Sequence, residues 1–363
     1  MKVAVFAIIA LVAVLSRSEA AELSGKLINE TAHFKTLEGN LIGESADRHF
    51  AVYLPPSYNQ DRKHYPVLYL LHGFSDTYKM WVEDPRAGNL PLIMDKLIHA
   101  GGMREMIVVM VDGGNKLGGS FYTNSVTTGN WEDYVTYELV GYIDTKYRTL
   151  ARSSSRGIAG HSMGGYGAIK LAMKHPDVFG AVYALSACCL EADSAWLPES
   201  PAWQKVLATR SLEDVLGLQT SAAAADRKDP QWFMGFVAVA LVAQSAAFSP
   251  DPANPPAFTD YPVERRGDKL VASEKPLAAW SANLPIPMLG QYRTNLARLR
   301  GIGFEIGKQD WNPPLIAQAH DLDAMLTSNG IHHEFEEFTG SHMDKLGERL
   351  ETKALPFFSR VLE

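Results

Sequence analysis

The chain has 363 residues, 46% of them hydrophobic and 21% charged, with a formal net charge of −7. A mildly acidic balance with no long Lys/Arg run argues against nucleic acid or an anionic membrane as the main partner. Only two cysteines are present, the adjacent Cys188 and Cys189, so no disulfide framework exists and apolar burial must hold the fold. No His/Cys cluster has zinc spacing, and no metal site is expected.

Residues 1–20 carry Lys2, an apolar run from Val3 to Leu15, and Ser18-Glu19-Ala20 ahead of Ala21. That is the layout of a secretory signal, and the run is too short to span a bilayer comfortably. The expectation is a cleaved signal and a secreted or periplasmic protein. His49–Pro56 reads as a strand that Pro55 and Pro56 close. Tyr65–Gly73 and Glu105–Gly114 are continuous apolar runs, as in strands buried on both faces of a parallel sheet. Between them, Leu90–Gly101 has helical spacing at Leu92, Ile93, Leu97 and Ile98, with Gly101 at C′.

Asn130–Tyr147 reads as an amphipathic helix capped by Asn130. Then follow a strand at Arg156–Gly160, a helix at Met163–Lys174 and a strand at Gly180–Cys189. Near the end come a strand at Gly301–Gly307, a helix at Pro313–Gly330, a strand at Ile331–Phe338 and a helix at Lys345–Leu362. This alternation predicts an α/β fold with a doubly wound, mostly parallel sheet. Cys188 and Cys189, at the end of one strand, read as two buried thiols rather than a strained vicinal bridge.

From Leu190 to Leu284 the rhythm breaks. This stretch holds Trp196, Trp203, Trp232 and Trp280, an apolar helix at Trp232–Phe248, and the proline-rich loop "SPDPANPPAFTDYP". It reads as an inserted helical cap (190–284) on a core made of 21–189 and 285–363; a second independent domain is the alternative. The apolar helix has no flanking basic cluster, so stable membrane insertion is not expected.

Chemistry concentrates at "RGIAGHSMGGY". The pattern G-x-S-x-G falls where a strand meets a helix, which is the context of a nucleophile elbow and of the α/β-hydrolase fold. Ser162 is the expected nucleophile; the plain alternative is a helix N-cap. A serine hydroxyl needs a base, and the base needs an orienting acid, in the chain order Ser, acid, His. Of the later histidines only His342 lies in a loop after the last strand. Asp310 follows the preceding strand; its rivals are Glu305, Asp321, Asp323 and Asp344. The backbone N–H groups of Met163 and of Phe74, in "HGF", are the expected oxyanion donors.

Several blocks match one family in order: "VYLPPSYN", "YPVLYLLHGFSDT", "NWEDYVTYELVGYIDTKYRT", "GIAGHSMGGYGAIKLAMKHPDVFGAVYALS", "GIGFEIGKQD" and "GSHMD". Together they resemble the esterase D family of α/β-hydrolases, which includes feruloyl and acetyl esterases, S-formylglutathione hydrolases and antigen 85 mycolyltransferases. The resemblance implies Ser162, Asp310 and His342 as a triad, with Phe74 and Met163 as oxyanion donors. It also implies that Asp112, Tyr122 and Trp131 help shape the substrate side. No cofactor is implied. The expected activity is hydrolysis of aryl or acyl esters, free or on a polysaccharide, through an acyl-enzyme. An acyltransferase and a non-catalytic binding module are the rivals. The cap resembles nothing with a defined substrate.

Overall fold

The computed structural model describes residues 23–224 and 230–363. The signal segment expected at 1–20 lies outside the described residues. Eight strands form the main sheet: β1 (Lys26–His33), β2 (Asp47–Leu54), β3 (Val67–Leu71), β4 (Ile107–Val111), β5 (Arg156–His161), β6 (Ala181–Leu185), β7 (Gly301–Gly307) and β8 (Glu334–Phe338). Their spatial order is β1-β2-β4-β3-β5-β6-β7-β8. The first two pairings are antiparallel, and every pairing from β4 to β8 is parallel.

The unbroken apolar runs are explained by burial on both faces. On β3, Val67, Tyr69 and Leu71 join one core layer while Leu68 and Leu70 join the other. The second layer is closed by α1 (Leu90–His99) and by the C-terminal helix, which spans 346–361. The first is closed by a helix over 131–146, by α3 (Met163–Lys174) and by helices that follow the sheet's later strands. We call the 131–146 helix α2; its central Tyr134–Leu139 turn is π-helical.

The segment 190–284 contains α4 (Ala202–Val206), α5 (Leu212–Ala224), α6 (Pro230–Phe248) and α7 (Glu274–Ser281), with a hairpin pairing Val263–Arg266 and Lys269–Ala272. Its buried Trp196, Trp203 and Trp280 belong to the same core layer as Tyr69 and Tyr166. It is bonded to the loops beyond β4: Ser125 donates to the Ala246 carbonyl, and Thr127 to that of Phe258. Two further helices, α8 (Pro285–Leu296) and α9 (Pro313–Ser328), flank β7 in sequence, and the C-terminal helix is α10.

Four local expectations need correction. Strand β1 has no counterpart in the sequence reading. It is an edge strand with no fully buried residue, and Glu30 and Asn29 interrupt its apolar pattern. Strand β8 begins at Glu334, so His332 and His333 precede it; His333 bonds Ile331 O and Asp323. Strand β6 ends at Leu185, where positive φ at Ser186 turns the chain before it reaches the cysteines. Asn130 stands at the start of α2, but its side chain makes no capping bond.

Candidate active site

Strand β5 is buried throughout and runs straight into α3 with Ser162 between them. Ser162 holds φ 57° and ψ −118°, a backbone conformation few non-glycine residues adopt. Two neighbours must be glycine for this turn to close. A Cβ on Gly160 would lie 2.3 Å from the Gly164 backbone, and one on Gly164 would lie 2.2 Å from Leu71 O. The turn is then fixed by backbone bonds: Ser162 N–H donates to Leu185 O at 3.0 Å, and Ser162 O accepts from Tyr166 and Cys188 N–H.

The carboxylate arrives in the loop after β7. Asp310 N–H donates to Gly307 O, and Asp310 Oδ1 accepts from Asn312 N–H at 3.0 Å. Its other oxygen lies 2.8 Å from His342 Nδ1, with both side chains buried. A carboxylate only accepts, so Nδ1 carries the proton and Nε2 is left with a free lone pair. His342 and Ser162 line the same cleft.

What holds His342 was not visible in the sequence. Its carbonyl accepts from His161 Nε2 at 3.0 Å and from Arg349 Nη2 at 3.2 Å. Burial, with the neighbouring His342 and Arg349 adding to it, pushes the His161 imidazole well below its usual range, so it serves as a neutral donor. Arg349 also bonds Glu305 at 2.8 Å and Ser186 Oγ at 3.1 Å, and stacks over Phe338 at 4.1 Å. Burial pushes the Glu305 carboxyl up, which the bond to Arg349 opposes. His161 had a partial signal, as the x of G-x-S-x-G; Arg349 had none, since it lies within an ordinary helix.

The rival acids are otherwise engaged. Glu305 pairs with Arg349, Asp323 with His333, and Asp344 Oδ2 accepts from Ser341 N–H in a local turn. Asp321 lies on α9 beside Glu191, whose carboxyl is raised by burial first and then by Asp321. Phe74 lines the cleft beside Ser162, and Met163 opens α3. Among the described residues neither backbone N–H donates to another group.

Asp112, Tyr122 and Trp131 are not on the cleft wall, and the expectation that they shape it is corrected. Asp112 is bound to Arg48 at 2.6 Å, and Arg48 in turn stacks on the Trp131 ring at 4.8 Å. Trp131 Nε1 donates to Thr128 O. Tyr122 is fully buried, donates to His72 O at 3.0 Å, and fills the space beside Gly113 and Gly167. These residues brace the loops from behind.

The cleft has two lobes that share Phe74, Ser162, Phe236, Trp311 and His342. The smaller, about 170 Å³, is mixed, with Ser75, Asp76, Arg86, His161 and Gln219 on its wall beside Trp232 and Met343. The larger, about 600 Å³, is mostly apolar, with Trp196, Leu197, Phe233, Val237, Leu241 and the two cysteines. Trp311 stands edge-on to His342 at 5.4 Å between ring centroids and touches Phe233 and Phe236 from α6. A separate cavity of about 400 Å³ within 190–284 contains none of these residues.

Residues 44–215 match the family model described as "Putative esterase". Over these residues the chain is similar to that esterase family. The stretch contains Phe74, Ser162 and Met163, while Asp310 and His342 lie beyond it. An esterase of Mycobacterium tuberculosis is 37% identical over 134 residues, which cover 36% of this chain and 27% of that protein. An endo-1,4-beta-xylanase/feruloyl esterase of Xylanibacter ruminicola is 36% identical over 136 residues, 36% of this chain and 18% of that one. The chain thus spans roughly a quarter or less of the length of these relatives. A solved ferulic acid esterase superposes with a TM-score of 0.63 at 22% identity, covering 94% of this chain and 100% of the other. The ferulic acid esterase of Anaeromyces mucronatus, solved with ferulic acid, gives 0.52 at 15% identity over 95% and 93%. The fold is that of the α/β-hydrolases.

Proposed function

We propose that this chain is a serine carboxylic-ester hydrolase that works through an acyl-enzyme on Ser162. The observation that carries the reading is the meeting of a strained serine with a buried Asp310–His342 pair on one two-lobed cleft. In this reading Ser162 Oγ attacks the ester carbonyl while His342 Nε2 takes its proton. Asp310 keeps the imidazole in the needed tautomer and stabilises the imidazolium as it forms. The carbonyl oxygen becomes an oxyanion held by the Phe74 and Met163 N–H groups. A donor of this kind is worth about 3 kcal/mol in comparable hydrolases. The alcohol leaves with the proton from His342, and water activated by the same nitrogen then releases the acid.

The apolar lobe supports an aryl or medium-length acyl group, which its aromatic wall would strip of water. The smaller, mixed lobe is then left for the alcohol, with Arg86, Gln219 and Ser75 as hydroxyl or carbonyl partners. The feruloyl esterase relative and the ferulic acid esterase neighbours favour a cinnamoyl-type acid on a sugar or polysaccharide alcohol. In this account 190–284 acts as a cap that forms the acyl side of the cleft. Export is proposed on residues 1–20 alone.

The test is a series of nitrophenyl esters from acetate to decanoate, beside methyl ferulate, with wild type and Ser162→Ala. The expected result is a kcat/KM that rises from acetate to a longer or aromatic acyl group and vanishes in the variant. Full turnover by Ser162→Ala would sink the proposal.

A further inference from the structure

Cys188 and Cys189 are adjacent, yet their sulfurs are 2.7 Å apart, nearer than two unbonded sulfurs usually stand and farther than the roughly 2.05 Å of a disulfide. The turn that carries them is held by hydrogen bonds. Cys188 N–H donates to Ser162 O and Leu190 N–H to Gln318 Oε1, so the short turn is pinned on both flanks. Between those anchors Cys189 takes φ +58°, in the left-handed region. Both thiols are half-buried and line the apolar lobe that Ser162 and His342 also line. Gln244 Nε2, from α6, donates to Cys189 Sγ at 3.2 Å and marks the far side of the pair.

We propose that Cys188 and Cys189 form a two-sulfur binding site for a trivalent arsenical, opening on the apolar lobe beside Ser162. Trivalent arsenic is a soft acceptor that bonds thiol sulfur in preference to oxygen. Two sulfurs held in advance on one turn cost little further ordering when they close a ring on it. An arenearsenoxide, Ar–As=O, reacts with both thiols: the arsenic–oxygen bond breaks, two As–S bonds form, and the two thiol protons leave with the oxygen as water. Arsenic stays trivalent throughout, and no oxidant or reductant is consumed. The aryl group would occupy the lobe between Phe121, Leu241 and Trp196. The hydrogen bond to Cys188, and then burial, raise the Cys189 thiol well above its ordinary range, which keeps it protonated at neutral pH. Alkylating reagents that need a thiolate should therefore react slowly at this pair, whereas the arsenoxide oxygen can take the thiol protons itself.

The probe is phenylarsine oxide, read by intact-protein mass spectrometry on the folded full chain. The expected product is one adduct per chain with the mass of the reagent less one water, and no thiol left to titrate. 2,3-Dimercaptopropanol should remove it, and excess glutathione should not. Cys188→Ser and Cys189→Ser should each yield an adduct that glutathione strips. A wild-type adduct that keeps its As–OH on a single sulfur, or one that glutathione removes, overturns the proposal. So does reaction seen only after unfolding in urea. Ser162→Ala should form the same adduct as wild type, so a failure of the hydrolase reading leaves this test intact.

Discussion

The cleft is made by two regions built on different terms. On the sheet side the reacting groups are pinned by hydrogen bonds: Ser162 has both its N–H and its carbonyl bonded to backbone, and the His342 carbonyl has two buried side-chain donors. Across from it, 190–284 offers side chains from helices, and several stand open to solvent. Leu197 is 53% exposed and Phe233 is 40% exposed, as is 43% of Trp311 on the facing loop. The sheet side can hold reacting atoms to the fraction of an ångström that catalysis needs. The segment can exchange one apolar side chain for another of similar volume with little effect on the fold. Chemistry should therefore be lost by changes at the sheet edge, and specificity should shift by changes in the segment.

The sharpest break should come from Asp310→Asn. The amide can donate to Nδ1 and leave the imidazole in the wrong tautomer, which lowers kcat by about 10,000-fold in triads of this type. Hydrolysis of nitrophenyl butyrate, with circular dichroism to show an intact fold, measures it. A loss of only a few-fold would mean that Asp310 is packing.

Arg349→Met should come next and should separate stability from substrate binding. It leaves Glu305 buried without its partner, and breaking such a pair costs about 3–5 kcal/mol of stability. Because Arg349 also holds the His342 carbonyl, kcat should fall in the folded variant while KM stays near wild type. Urea unfolding and a KM-against-kcat split read the two effects.

On the other side, Phe236→Ala should change selectivity and leave the chemistry in place. Phe236 lines both lobes and packs against Phe74 at 5.6 Å. Removing it should weaken kcat/KM for aryl and long acyl esters by roughly 1–3 kcal/mol and spare acetate. Equal losses on every ester would place the side chain in the reaction machinery and blur the contrast between the two regions.

The smallest effect is a slope. Lys170, fully buried on α3, donates to Thr123 Oγ1 and to Asn283 Oδ1 in the segment. Burial is the largest influence on it, with Glu132 opposing, and its ammonium is pushed down to about 7. Between that value and the ordinary lysine range the unfolded chain binds a proton that the folded chain has released, so stability should rise with pH there. Lys170→Met should flatten the rise, and denaturation midpoints at about pH 7 and pH 9 would show it.

The same contrast explains what could be read from residues alone. The buried parallel strands announced themselves as unbroken apolar runs, because burial on both faces leaves no polar alternation. The elbow was legible because close backbone approach forces glycine at Gly160 and Gly164, and only a few residue types can make the nucleophile–acid–base set proposed for Ser162, Asp310 and His342. Edge strand β1 left no such mark, since its half-wet face tolerates Asn29, Glu30 and Thr31. Arg349 was equally silent, because a contact across 44 residues of chain to Glu305 has no local pattern. Asp112, Tyr122 and Trp131 were misplaced for a related reason: a buried polar or aromatic side chain behind a site looks, in sequence, like one on its wall.

Ser162 as an activated nucleophile is the proposed centre of the chemistry. Treating the folded chain with an alkyl fluorophosphonate and mapping the adduct by peptide mass spectrometry tests this directly. A single stoichiometric adduct on Ser162, lost in His342→Ala and in Ser162→Ala, is the expected result. An unmodified Ser162 in a chain that still cleaves esters would contradict it.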